Sequence, residues 1–297
     1  MRIFVTGATG WVGSAITREL IGAGYQVIGL VRSGSNSDAL AAMGATPVLG
    51  SLDDIDILRK AAGDADGVIH TAFGVDFSRI VEMSQQERRV IEIFGEVYEG
   101  SDRPIIATSG FGLLPAGERF TEETPPPPVN PAFPRAPEQA IVVLVNRGVR
   151  ATVVRLPRSV HGRGERHGFV PMLAGLAREK GVSAYPSDGD NLWPSVHRLD
   201  AAHVFCLALK HGAQGGPFHA VADEGVRFRQ IAEAIGRQLG LPTQSLTAEK
   251  AAAHFGPLAM WVAGNGPASS QRTRERLAWE PEKADLISDI DHPDYFA

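Results

Sequence analysis

Cysteine is almost absent. Cys206 is the only one among 297 residues. One thiol makes neither an internal disulfide framework nor a multi-cysteine metal site, and its apolar setting at 201–209 reads as a buried structural thiol. A dominant charge is missing too. Lysine and arginine number 29 against 34 acidic residues, a net charge of −5 without a long basic run. That balance argues against nucleic acid as the main partner. No stretch nears the roughly 18 apolar residues of a membrane span. The chain enters Arg2-Ile3-Phe4-Val5 at once, with no signal-peptide layout. The expectation is a soluble, cytoplasmic protein with no membrane partner and no metal. With 43% hydrophobic and 21% charged residues the chain is globular, and its length allows about two domains.

What is present is concentrated near the start. Ile3-Phe4-Val5 is a β-forming run that stops at glycine, as a strand buried on both faces does. Thr6–Gly13 follows, with glycines at 7, 10 and 13 and with Thr9, Trp11 and Val12 between and beside them. Residues 14–21 turn helical, Gly22 and Gly24 end the helix, and residues 26–31 form a second strand. The unit is βαβ. A diphosphate at a helix N-terminus meets unpaired amides and the positive end of the dipole. Side chains at Gly7 and Gly10 would block its approach, and Gly13 lets helix and strand pack closely. A dinucleotide is therefore expected at this loop. The second strand ends in Leu30-Val31-Arg32-Ser33-Gly34-Ser35, with no acid to hold the ribose hydroxyls of NAD. Arg32 and Ser33 suit a 2′-phosphate, so NADP (NADPH) is expected ahead of NAD.

Apolar runs at 3–5, 26–31, 46–49, 67–71, 104–108 and 150–156 alternate with helix-compatible segments. This rhythm predicts an α/β fold, a doubly wound parallel sheet with ligands at the carboxyl ends of its strands. Gly7, Arg32, Ser51, Thr71, Ser109 and Pro157 all fall at such ends. The expected division is a dinucleotide-binding domain over 1–160, taking in part of about 190–220, and a smaller, discontinuous substrate-binding region over 161–297.

The loop Thr6–Gly13 resembles the cofactor loop of extended and atypical short-chain dehydrogenases/reductases, the group that contains the NAD(P)-dependent sugar epimerases and dehydratases. Further matches follow in order. Gly50-Ser51-Leu52-Asp53-Asp54 resembles the adenine-contacting segment, with Ser51 where the family usually has Asp. Val68–Ala72 resembles the fourth strand and the turn beneath the cofactor, which brings in Thr71, Ala72 and Phe73. Ile105–Gly110 resembles the fifth strand, with Thr108 and then Ser109 at the place of the catalytic hydroxyl. Val153–Pro157 resembles the sixth strand and the proline beside the nicotinamide, with Ser159 just beyond. Trp193–Asp200 resembles the late Val-His-x-x-Asp segment. The resemblance implies a Rossmann fold, a nicotinamide cofactor and a role for Ser109. It does not imply the reaction.

One departure matters. The family's acid/base pair is Tyr-x-x-x-Lys on the helix after the serine strand. The four tyrosines here are Tyr25, Tyr98, Tyr185 and Tyr295, and no lysine lies between Lys60 and Lys180. Arg135 or its neighbours take the tyrosine region, and Glu138 or Gln139 the lysine region. Arginine is no proton donor near neutral pH. Three substitutes present themselves: Arg135 as an electrostatic clamp on a substrate carbonyl or carboxylate, Glu138 as a partner of Arg135 or a proton relay, and His161 as a proton donor past the sixth strand. Phe111, Arg158, Trp193, His197 and the segment 261–265 are candidates to line the substrate cleft. The proline-rich stretch 121–137 reads as a stiff loop over its mouth. Arg155, Arg158, Arg163 and Arg166 stand against Glu165 alone within 155–167, a basic segment compatible with an anionic substrate. The family's relatives often dimerise through the helices after strands four and five, here about 78–99 and 136–147, so a homodimer is expected. The expected function is an NADP(H)-dependent oxidoreductase acting on a small carbonyl-type substrate. A non-catalytic NADP(H) sensor and an epimerase- or dehydratase-like enzyme stay open as alternatives.

Overall fold

Short valine- and isoleucine-rich runs that end at glycine or polar turns become strands, and the stretches between them become helices, in a computed structural model that describes residues 1–74, 77–112, 117–126, 128–130 and 134–296. Pro127 and residues 131–133 of the proline-rich loop lie outside the described residues. The first half runs β1 (Arg2–Thr6), α1 (Trp11–Gly22), β2 (Gln26–Val31), α2 (Gly34–Ala42), β3 (Thr46–Leu49), α3 (Ile55–Gly63), β4 (Gly67–His70), α4 (Ile80–Tyr98), β5 (Ile105–Gly110), α5 (Pro137–Asn146) and β6 (Ala151–Leu156). The second half runs β7 (Ser159–His161), α6 (Phe169–Lys180), β8 (Ser183–Pro186), β9 (Leu192–His197), α7 (Arg198–Lys210), β10 (Phe218–His219), β11 (Asp223–Arg227), α8 (Phe228–Leu239), β12 (Thr243–Leu246), α9 (Ala248–Phe255), α10 (Ala259–Ala263), α11 (Gln271–Leu277) and α12 (Leu286–Ile290).

Seven strands form one parallel sheet in the order β3-β2-β1-β4-β5-β6-β10. The direction of winding reverses between β1 and β4, which opens a ligand crevice at their carboxyl ends. Helices cover both faces, so the strands show no polar alternation: all four residues of β4 are buried, and β1 exposes only Arg2. One face packs Ala15, Ile16 and Leu20 of α1 against Val204, Phe205 and Leu209 of α7. The other packs Leu58, Val90, Phe94 and Leu144 from α3, α4 and α5. A third core, with Trp193, Phe228, Ile231 and Phe255, belongs to the second lobe. There β9 pairs with β7 in parallel and with β11 antiparallel, while β8 pairs with β12. The chain does not stay in this lobe: α7, β10 and Trp279 all pack with the first.

The helices expected to carry a dimer divide unevenly. In α4 Val90, Ile91 and Phe94 are buried and Val81 is exposed. The apolar surface lies instead on α5, where Val142, Val143 and Val145 are each about half exposed. Among the described residues no helix is long and apolar enough to cross a membrane, and no cluster of three or more His, Cys, Asp or Glu side chains is arranged to hold a metal.

Candidate functional site

The glycine loop is shaped by close approach. Gly7 has a φ of +71°, and a Cβ there would lie 2.8 Å from the Thr71 hydroxyl and 2.9 Å from the Ala72 amide. A Cβ on Gly13 would lie 2.0 Å from the Gly7 carbonyl, so Gly13 is what lets α1 sit against the loop. The Gly10 amide donates to the Gly7 carbonyl at 2.8 Å. No side chain caps α1, and its first turn holds no acid. The first-turn amides and the helix dipole thus face the crevice, an arrangement suited to a diphosphate. Thr9, Trp11 and Val12 are partly exposed at this mouth.

At the end of β2, Arg32 and Ser33 are exposed, and Arg32 has no hydrogen bond or ion pair among the described residues. Ser33 Oγ lies 3.2 Å from Ser35 Oγ. After β3, the Ser51 amide and hydroxyl both donate to Asp54, at 2.7 and 2.9 Å, which holds the Asp54 carboxyl below the usual carboxylate range. Asp54 therefore braces the Ser51–Leu52 turn rather than facing a ribose. Thr71 donates to the Thr6 carbonyl at 2.8 Å, and Thr108 to the His70 carbonyl at 3.1 Å. Ala72 and Phe73 are half-buried, and Pro157 and Ser159 are buried.

Ser109 ends β5 beside Arg155 of β6. Its hydroxyl donates to Glu138 Oε1 of α5 at 2.7 Å. Arg155 grips the same carboxylate through Nε (3.0 Å) and Nη2 (2.7 Å), with both side chains at least 94% buried. Arg155 also donates to the Thr121 and Thr124 carbonyls. His219 Nδ1 lies 2.6 Å from the Ser269 carbonyl, which places its proton there and leaves Nε2 to accept from Arg155 at 3.2 Å. Burial pushes the His219 pKa down to about 3, so the ring stays neutral. Phe111 closes this side, edge-to-face on His219. Strands β5 and β6 thus both donate to one carboxylate of α5 at the sheet's carboxyl edge, and Arg155 ties it to the loop at 121–124 and to His219.

Residues 3–221 match the NAD dependent epimerase/dehydratase family. The chain belongs to that family. An uncharacterized protein of Schizosaccharomyces pombe is 45% identical over 296 residues, all of both chains. A Dictyostelium discoideum sterol-4-alpha-carboxylate 3-dehydrogenase, decarboxylating, is 28% identical over 82% of this chain and 78% of its own. The fold superposes on a Thermotoga maritima UDP-glucose 4-epimerase with a TM-score of 0.77 at 19% identity, covering 100% and 98% of the two chains.

Within this epimerase/dehydratase frame, several expected site residues do other work. Arg135 is engaged by its own neighbours. Its Nε and Nη2 clasp Glu87 of α4 at 2.6–3.2 Å, Nη2 reaches the Thr108 carbonyl at 3.0 Å, and the guanidinium lies 4.1 Å over the Phe73 ring. It ties α5 to α4 and β5, and Glu138 pairs with Arg155 rather than with it. His161 is fully buried, with Nδ1 2.8 Å from Asp289 of α12 and its ring edge-on to His197. The ring is thus held between α12 and His197, with no hydrogen bond to Ser109 among the described residues. Trp193 is also fully buried, between Phe169 and Phe228, and backs the cleft without lining it. His197 caps α7 by accepting from the Leu199 amide and lines a cavity of about 440 Å³ with Arg163, Arg198 and Lys283, of which Arg198 also stacks on Trp11 of the glycine loop. The basic segment 155–167 is no single patch: Arg155 turns to Glu138, Arg163 and Arg166 are exposed, and Glu165 is buried. Cys206 is buried, which pushes its thiol pKa up, as expected for a structural thiol.

Sequence reading missed the Arg155–His219 side of the network. Its signal was a charged residue inside Val153-Val154-Arg155-Leu156, because a buried strand carries a cation only with a partner.

Glu165 supplies a testable pH effect. Burial pushes its pKa up to about 8, against the hydrogen bond from the Tyr295 hydroxyl at 2.5 Å. The unfolded chain releases this proton near the ordinary glutamate value of about 4.3. Between there and pH 8 the folded state holds more protons, so this group's contribution to stability falls as pH rises and levels off above 8. In denaturant unfolding, Glu165→Gln should flatten that decline relative to wild type. An unchanged pH slope would remove Glu165 as its source.

Proposed function

We propose that the protein is an NADP(H)-dependent oxidoreductase of the atypical short-chain group, acting on a small carbonyl-type substrate or the matching alcohol. The observation that carries this reading is Ser109, held in one hydroxyl orientation by a buried Glu138–Arg155 pair at the carboxyl edge, beside a glycine loop suited to a dinucleotide. The name of the Dictyostelium relative, a 3-dehydrogenase, is that of an oxidoreductase. The cofactor supplies the hydride acceptor or donor when bound. The chain's own contribution is at Ser109 Oγ. Its proton points to Glu138, so its lone pairs are offered to a substrate hydroxyl, and a proton released in oxidation passes through Oγ toward Glu138. In reduction the same relay runs in reverse: Ser109 passes its proton to the alkoxide while Oγ takes one back from the protonated Glu138 carboxyl. The absence of a tyrosine and a lysine between β5 and β6 favours a second reading, a cofactor-binding sensor without turnover.

The cofactor part is tested by titration. Among the described residues Arg32 is an exposed cation without a partner at the carboxyl end of β2, and a charge-assisted contact to a 2′-phosphate contributes about 1.5–3 kcal/mol. Arg32→Ala should lose that much NADPH affinity and leave NADH binding unchanged. NADH as the tighter ligand of the wild type would sink the NADP assignment.

The exposed valines of α5 support a homodimer that buries them across a two-fold axis. Light scattering should give twice the monomer mass at micromolar concentration, and Val142→Glu should halve it. A monomeric wild type rejects the dimer.

A further inference from the structure

Arginines in this molecule follow a habit. Arg155, Arg135, Arg147 and Arg237 each present the Nε and Nη2 edge of the guanidinium to a carboxylate, those of Glu138, Glu87, Glu99 and Asp291. Arg158 breaks it. Its Nη1 donates to the Gly264 carbonyl at 2.9 Å, while Nε and Nη2 are buried without a partner. No other arginine among the described residues has two such nitrogens. No charged group offsets its desolvation, and burial alone pushes its pKa down to about 10. Buried cations without a counter-ion are rare because the charge loses its hydration and gains nothing in return.

The setting is built for a ligand rather than for packing. The guanidinium carbon lies 5.5 Å from the centre of the Trp193 ring and 5.9 Å from that of Trp261, so the cation is shared by two aromatic faces. Asn191 steadies the segment that holds Arg158, donating to the Val262 and Gly264 carbonyls. A methyl group at Gly266 would sit 3.3 Å from both Arg158 Nη2 and the Phe120 ring, so the glycine keeps space between them. Phe120 in turn contacts Phe111, two residues beyond Ser109, at a ring separation of 5.0 Å. Arg158 itself lies two residues past the end of β6, the strand that pairs with β5. The free edge therefore lies beyond the carboxyl end of the strand next to that of Ser109, beside Gly266 and Phe120.

We infer that Arg158 takes an oxyanion of the substrate, a carboxylate or a phosphate, two-pronged on its Nε/Nη2 edge while the reacting end of the same molecule lies at Ser109. The inference rests on the oxidoreductase reading for the reacting end only. The oxyanion site follows from Arg158 alone. It makes the substrate an acid or phosphate ester carrying a hydroxyl or carbonyl, and it gives the second lobe the part of reading that charge.

Ligand-observed NMR titrations with benzoate, its neutral isostere benzamide, and phenyl phosphate test this on the whole chain, with and without NADPH. Wild type should bind benzoate or phenyl phosphate on the order of tenfold to a hundredfold more tightly than benzamide, the range expected for a charge-assisted pair. The stronger of the two anions identifies the oxyanion. Arg158→Gln should erase the preference. Arg158→Lys, which keeps the charge and loses the fork, should keep part of it and guards against a folding defect in the first variant. Equal binding of the anions and benzamide, no binding of either anion at 10-millimolar order of concentration, or an undiminished preference in a folded Arg158→Gln protein each overturns the proposal. Failure of NADPH to quench tryptophan fluorescence in the same samples would instead count against the oxidoreductase reading, so the two failures are distinguishable.

Discussion

Arg155→Met is expected to lose about 3–5 kcal/mol of unfolding free energy, the cost of breaking a buried ion pair from one side. The Arg155–Glu138 pair is at least 94% buried on both sides, and the substitution strands an ionised carboxyl with one remaining donor, Ser109. The Thr121 and Thr124 carbonyls and His219 Nε2 lose a donor at the same time. Arg155→Met combined with Glu138→Gln removes the stranded charge and should recover at least half of the loss, because a neutral amide costs far less to bury than a carboxylate. Urea unfolding at fixed pH reads both values. A loss under about 1 kcal/mol in the single variant would show the pair to be solvated, against its burial here.

Ser109→Ala should leave stability and NADPH affinity nearly unchanged while turnover falls by about 10²–10³, the usual cost of one hydrogen-bonding group at the reacting oxygen. The contrast with the first prediction is structural: without the serine, Glu138 keeps both nitrogens of Arg155. Single-turnover deuterium transfer from 4-deuterated NADPH across a panel of carbonyl acids and phosphates is the measurement. Equal transfer in wild type and variant would reject the role of Ser109. No transfer from wild type to any acceptor, with NADPH bound, would favour the sensor reading.

The parallel sheet was legible because its signals are local. The six apolar runs read from sequence match β1 to β6 within two residues, and Gly7, Gly10 and Gly13 stand where close approach requires them. The first helix, α1, was legible for the same reason, from its helical pattern and terminating glycines. Side-chain partners were not legible. Arg135 meets Glu87 across 48 positions, and Arg155 meets His219 across 64. Nothing in a linear pattern says which buried cation finds an acid and which, like Arg158, does not. His161 and Trp193 illustrate the converse: their types suggested chemistry, but burial by α12 and α8 comes from folds of the chain about 35 to 130 positions away. The short strands β8 and β12 were missed because four residues are too few to show an alternation: β8 is buried or half-buried throughout and β12 almost wholly exposed.

The cations of the cleft are all arginines, and this has a practical side for labelling chemistry. Lys60, Lys180, Lys210, Lys250 and Lys283 are the only lysines, and every one of them is exposed. Amine-directed coupling to a surface, a dye or a biotin will therefore take exposed lysines and leave Arg32, Arg155 and Arg158 unmodified. Of these three, arginine-directed dicarbonyl reagents will meet Arg32 before Arg155, since Arg32 stands open while Arg155 is shut inside, and peptide mapping separates it from exposed arginines elsewhere such as Arg163 and Arg166. Bound NADPH should shield Arg32 from them, which turns a reagent's rate of attack into a footprint of the cofactor's 2′-phosphate.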